Sequence, residues 1–131
     1  MANIMICVTG QMECARLIRY ALTLQKEKRD ELYLVHVSAE ENKSFTDSIE
    51  ALQYLYAQAS ENGAGLNVLK SKNVLDTLQE FVIKHKIDVV VMGESNATKR
   101  ENSMIERLQD SLKKKRSTAE IHKVARKEKL R

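Results

Sequence analysis

Three short stretches of this chain are apolar at nearly every position: residues 3–8 (NIMICV), 32–37 (LYLVHV) and 88–92 (DVVVM). A strand with one wet face alternates apolar and polar side chains. These do not, so each must be covered on both sides, as in a parallel sheet sandwiched between helices. Between them the period changes. Leu17, Ile18, Ala21 and Leu22 recur at helical spacing, and Ile49, Leu52, Leu55, Tyr56 and Ala59 do so again. Strands alternating with helices predict right-handed crossovers and helices on both faces of the sheet.

Punctuation agrees with that order. Ser44 with Asp47 reads as a capping box for the second helix, and residues 66–70 as a short edge or near-edge strand. Asn73 can cap a third helix, with Asp76 favourable in its first turn and Leu75, Leu78 and Val82 as its stripe. Gly93 ends the last apolar stretch. Ser103 with Glu106 forms a capping box ahead of Ile105, Leu108 and Leu112, so a fourth helix is expected to begin there. Residues 118–125 admit a fifth, edge strand with Ala119 and Ile121 on one side, or a continued helix through Ile121 and Val124; the alternating order favours the strand.

The 131 residues fit one domain, 1–131, of 43% hydrophobic and 31% charged residues. No apolar stretch is long enough for membrane insertion, and the first residues read as a strand and not as a signal peptide, so a cytoplasmic protein is expected. Cys7 and Cys14 have no CxxC spacing and read as reduced thiols. Cys14, near a helix start, could have a lowered pKa, but a structural thiol is the expectation. His36, His85 and His122 are scattered, which argues against a metal site. Residues 111–131 hold nine Lys or Arg against two Glu, so this basic tail carries +7 of the net +4 and the body carries −3. Such a tail can attract nucleic acid, but with Trp absent and few Tyr or Phe it has no stacking platform.

The one stretch with a chemical shape is residues 88–105. A strand, a glycine turn, a polar loop and a capped helix make a common phosphate site, because unpaired N–H groups and the helix dipole both point at the loop. There is no GxSxG or GxxxxGK[ST] in the chain, which removes the usual hydrolase and P-loop readings.

The order of these segments, with ICVTG opening the chain, LVHV in the second strand and VLDTLQEFVIKHKIDVVVMGES leading into the fourth, resembles the universal stress protein family. CVTGQMECARLIRYA is similar to the version of this domain found inside potassium-sensing histidine kinases, though no kinase segment lies within these residues. The resemblance implies an adenine-nucleotide alpha-hydrolase-like fold: a three-layer α/β/α sandwich around a five-stranded parallel sheet in the order 3-2-1-4-5. It also implies a homodimer paired through the C-terminal strand. Nucleotide-binding members hold ATP with a G-2x-G-9x-G-[ST] motif after the fourth strand, an acidic residue ending the first strand and backbone groups ending the second. Carried over, Gly93 matches the first glycine, Asn96 and Asn102 stand at the second and third, and Ser103 is the hydroxyl residue, with Met92 and Met104 adjoining. Thr9 replaces the acidic residue, and Val37 is the position that would meet the adenine.

Five residues separate Asn96 from Asn102 where the family has nine. Asparagine tolerates the left-handed backbone better than most residues, but it adds a side chain where a phosphate would lie. Thr98, Lys99 and Arg100 can offset lost backbone donors with charge-assisted contacts. The implied function is a stress-response or signalling module that binds ATP or another adenine nucleotide, with Mg only alongside ATP, and speaks to an unknown protein partner. The alternatives are a non-nucleotide-binding dimeric interaction module, a slow ATPase, and a nucleic-acid binder through the tail.

Overall fold

The structure is a computed structural model that describes residues 2–8, 14–27, 30–40, 47–93 and 99–124, with the side chains of 99–104 excepted. Its elements run β1 (Asn3–Cys7), α1 (Cys14–Leu24), β2 (Glu31–Ala39), α2 (Ile49–Glu61), β3 (Ala64–Ser71), α3 (Val74–Lys84), β4 (Val89–Gly93), α4 (Lys99–Lys114) and β5 (Glu120–Val124). Every strand pair is parallel and the sheet order is β3-β2-β1-β4-β5. Residues 120–124 therefore take the strand reading.

The central position of β1 follows from its side chains. Ile4, Ile6 and Val8 pack on one face against Cys14, Leu17, Ile18 and Ala21 of α1 and Leu55 and Ala59 of α2. Met5 and Cys7 face the other way, toward Phe81 and Val82 of α3 and Leu108 and Leu112 of α4. Each such side chain taken fully out of water contributes about 1.5–3 kcal/mol, so a strand buried on both faces belongs in the middle.

Three local expectations are corrected. The buried stripe of α2 is Ala51, Leu55 and Ala59, whereas Ile49 is 73% and Tyr56 66% exposed and Leu52 lies at the surface. The cap of α2 is Ser48, whose hydroxyl accepts from the Ala51 N–H at 3.3 Å; Ser44 lies outside the described residues. Leu22 is also at the surface, so the face of α1 is narrower than its sequence suggests. Asn73 does cap α3, its Oδ1 accepting from the Asp76 N–H at 3.0 Å.

The sheet is fastened at the ends where its strands begin. Asp30, buried just before β2, accepts from the N–H of Ala2 at 2.8 Å, of Lys26 at 2.9 Å and of Glu27 at 3.1 Å. Asp88, just before β4, accepts from the Asn3 N–H at 2.9 Å, and the Asn3 side-chain amide donates to the carbonyls of His85 and Lys86, both at 3.1 Å. One residue at the head of β1 thus reaches the turn that ends α3. The helix ends differ in kind. α2 is followed by Gly63 in the left-handed region (φ 70°), but α3 and α4 are followed there by Lys86 (φ 52°) and Arg116 (φ 60°). A side chain in that conformation costs on the order of 1 kcal/mol or more.

The backbone N–H groups of Ala2, Lys26 and Glu27 hold the Asp30 carboxyl below the usual carboxylate range. A depressed folded pKa gives stability that is present above the unfolded value of about 3.9 and lost as pH falls through the folded one. Urea unfolding of the wild type and Asp30→Asn is expected to show the wild type more stable at pH 7, with the gap narrowing steadily below about pH 4. A gap independent of pH would refute this assignment.

Candidate functional site

In the order β3-β2-β1-β4-β5 the chain leaves β1 toward one edge and returns to β4 on its other side. The two crossover helices, α1 and α3, lie on opposite faces. In sheets of this order that divergence leaves a crevice at the switch point where ligands bind, which here is at the C-terminal ends of β1 and β4. Cys7 is the register partner of Met92, so Val8 and Gly93 come level with each other at its floor.

β2 runs past its neighbour and forms a wall. Its last partner on β1 is Val35 with Cys7, extended by the Val8 N–H donating to the Val35 carbonyl at 2.9 Å. β2 then continues through Ala39, paired with β3 as far as Ser71. Four residues beyond Val35 project about 13 Å past that partner. Backbone groups alternate between the two edges of a strand, so Val37 presents its N–H and C=O on the same edge as Val35, toward the crevice. Its half-buried side chain packs into the α3–α4 side of the core. The next residue, Ser38, has a buried hydroxyl oxygen with no hydrogen-bond partner. Buried hydroxyls are ordinarily bonded, so this one is an exception that a ligand could satisfy.

His36 acts as a latch and not as a ligand. It is 6% exposed, and its Nδ1 lies 2.6 Å from the carbonyl oxygen of Val8. A carbonyl can only accept, so the hydrogen is on Nδ1 and the ring donates. That bond ties the end of β1 to β2. The signal for it in the sequence is a single polar residue inside the otherwise apolar 32–37; Ser38 has no motif around it.

The predicted positions divide into three groups. Met92 and Gly93 end β4 at the crevice floor, Met92 buried and Gly93 half-buried, and Val37 stands on the wall. Thr9 and Asn96 lie outside the described residues, as do Thr98 and the rest of 94–98. Asn102, Ser103 and Met104 fall within α4, and this corrects the expected capping box: the helix begins at Lys99, so Ser103 sits more than a turn inside it. An interior helical N–H is spent on the carbonyl four residues back. The donors left for a ligand at this end belong to the first turn, residues 99–101, and not to Asn102 or Ser103. The sequence holds the corresponding signal, since Thr98 and Glu101 repeat the capping-box spacing immediately before and within that first turn.

Both cysteines are buried and unpaired. Burial pushes the Cys7 thiol up to about 12 and the Cys14 thiol up to about 11, so the lowered pKa weighed for Cys14 does not occur and neither is a thiolate near neutrality. Among the described residues no group of three His, Cys, Asp or Glu comes together to hold a metal ion, and no helix is long and apolar enough to cross a membrane.

No protein-family model matches the sequence, and no curated protein matches it. Solved structures do match the fold. Hypothetical protein MJ0577 aligns with a TM-score of 0.68 at 15% identity, over 97% of this chain and 97% of that one. A universal stress protein in complex with cAMP aligns with a TM-score of 0.64 at 13% identity, over 95% and 96%. A universal stress protein family protein from Arabidopsis thaliana with AMP bound aligns with a TM-score of 0.57 at 16% identity, over 97% and 93%. The expected five-stranded parallel α/β fold is thus the observed one.

His36→Ala leaves the Val8 carbonyl without its donor and is expected to cost about 1–3 kcal/mol in urea unfolding. Wild-type stability in that variant would remove the latch.

Proposed function

We propose that the protein is a universal-stress-protein-like signalling or stress-response module that holds an adenine nucleotide in the switch-point crevice and acts through a partner protein. The observation that carries this reading is the buried Ser38 hydroxyl, unpartnered on the β2 wall beside a backbone edge that faces the crevice. A nucleoside has hydrogen-bonding groups for both. Val37 would meet the base through its backbone and Ser38 would add its hydroxyl. Gly93 keeps the end of β4 clear of side chain, and the first N–H groups of α4 would face the phosphates. Two structural neighbours, which hold cAMP and AMP, support the same ligand class. ATP is the further candidate, with Mg bound alongside it.

In this reading the protein binds and signals with little catalysis of its own; among the described residues no group of three His, Cys, Asp or Glu gathers to hold a metal. The similarity of residues 7–21 to the kinase-associated version of the domain supports a signalling role in the cytoplasm. A homodimer through β5 belongs to the same reading: β5 is an edge strand, and pairing with a second copy would cover it.

Calorimetric titration with ATP, AMP and cyclic dinucleotides is expected to give saturable heat for at least one of them, weakened at least about tenfold in Ser38→Ala if that contact is worth about 1.4 kcal/mol or more. Silence at high micromolar ligand would overturn nucleotide binding for that set and leave a non-nucleotide-binding interaction module. Light scattering is expected to return twice the mass of the 15.0 kDa chain, and a monomer would refute the dimer.

A further inference from the structure

At the opposite end of the sheet, α3 and α4 both stop beside one cavity of about 550 Å³. They end in the same way. The Ile87 N–H donates to the Val82 carbonyl at 2.9 Å and the Lys86 N–H to the Ile83 carbonyl at 3.3 Å; the Ser117 N–H donates to Leu112 at 2.9 Å and the Arg116 N–H to Lys113 at 3.0 Å. This closing turn ordinarily has glycine at its left-handed position. The chain uses glycine after α2, yet both helices that border the cavity carry a cation there, Lys86 and Arg116, in strained backbone.

Neutralising the helix dipoles does not account for these two cations. Lys84 ends α3 and Lys113 and Lys114 end α4, all in unstrained helical backbone. The final carbonyls are also bonded already, by the closing N–H groups and, at His85 and Lys86, by the Asn3 amide. Lys86, Lys115 and Arg116 line the cavity and make no ion pair among the described residues. The one carboxylate on the wall is Asp88, which accepts from the Asn3 N–H; against it and the negative dipole ends of α3 and α4, the three cations leave an excess of about one positive charge. Ser117 accepts from the Ala119 N–H at 3.1 Å, which leaves its own hydroxyl hydrogen to donate, and Thr118 adds a second hydroxyl. The rest of the wall is apolar: Val82 and Ile87 are buried, and Ile83 is 47% exposed.

Donors and positive charge on one side with an apolar shelf on the other suit a small organic phosphate lying in this open groove. We propose that the cavity between the C-terminal ends of α3 and α4 binds a small organic phosphate ester, its phosphate among Lys86, Lys115 and Arg116 and its apolar body against Ile83. This site is independent of the switch-point crevice, which lies at the other end of the strands.

The test is amide chemical-shift titration of the full chain with phenyl phosphate, and in parallel with inorganic phosphate. Phenyl phosphate is expected to shift the amides of Lys86, Ile87, Arg116 and Ser117, and to saturate at about tenfold lower concentration than inorganic phosphate. The double variant Lys86→Gly/Arg116→Gly keeps a residue suited to the left-handed backbone, so its Tm should stay within about 4 °C of wild type while binding weakens at least about tenfold. Lys115→Gln, in a surface turn without backbone strain, should weaken binding several-fold on its own. Shifts confined to Met92 and Gly93, equal saturation by the two phosphates, or unchanged binding in either variant would overturn the proposal. So would tighter binding of an oligoglutamate peptide to the same amides, which would make the surface a dock for an acidic protein.

Discussion

Everything in this molecule depends on β1 being apolar on both sides. A strand that alternated would have settled at an edge or against one helix layer. Because Ile4 and Ile6 need cover as much as Met5 and Cys7 do, the strand has to sit between β2 and β4 with helices on both faces. The rest follows from connectivity. A parallel neighbour on each side of the first strand forces crossovers that diverge, and divergence at the central strand is what opens a crevice at one end of the sheet.

The two ends of the sheet are then built from different materials. Where the strands begin, carboxylates and an amide close the gaps: Asp30 and Asp88 accept backbone N–H groups, and Asn3 bridges to the end of α3. Where they finish, two sites stand out, the buried His36 ring against Val8 and the unpartnered Ser38 hydroxyl. Unused hydrogen-bonding capacity is found at both ends, at the Ser38 hydroxyl where the strands finish and at the buried Asn3 Oδ1 where they begin.

The sheet was legible because its three apolar stretches leave only one kind of strand possible, and because the Asn73 cap and the stripe of Leu78 and Val82 are short-range signals that tertiary structure had no reason to override. The outer face of α2 was not legible. Ile49, Leu52 and Tyr56 keep helical spacing as faithfully as Leu55 does, and periodicity alone cannot tell which of two adjoining apolar rows meets the sheet. The start of α4 is ambiguous for a related reason: Thr98 to Glu101 and Ser103 to Glu106 are equivalent as capping patterns, and only the later one stands directly before the apolar stripe of Ile105, Leu108 and Leu112. As for the candidate site, Gly93, Met92 and Val37 could be placed from strand ends, while Ser38 and the His36 latch could not. Their importance lies in what neighbouring strands bring to them, and no local pattern records that.

The fastening through Asn3, Asp30 and Asp88 has a consequence for how such a chain can change. It sits at the far end of the strands from the crevice, so these register-setting contacts use no residue of the segments that follow β1 and β4. Those loops can be lengthened, shortened or rewritten while the frame beneath them keeps its geometry. Adaptation to a new ligand, whether by natural drift or by grafting a foreign loop, is thereby uncoupled from the contacts that decide whether the chain folds at all.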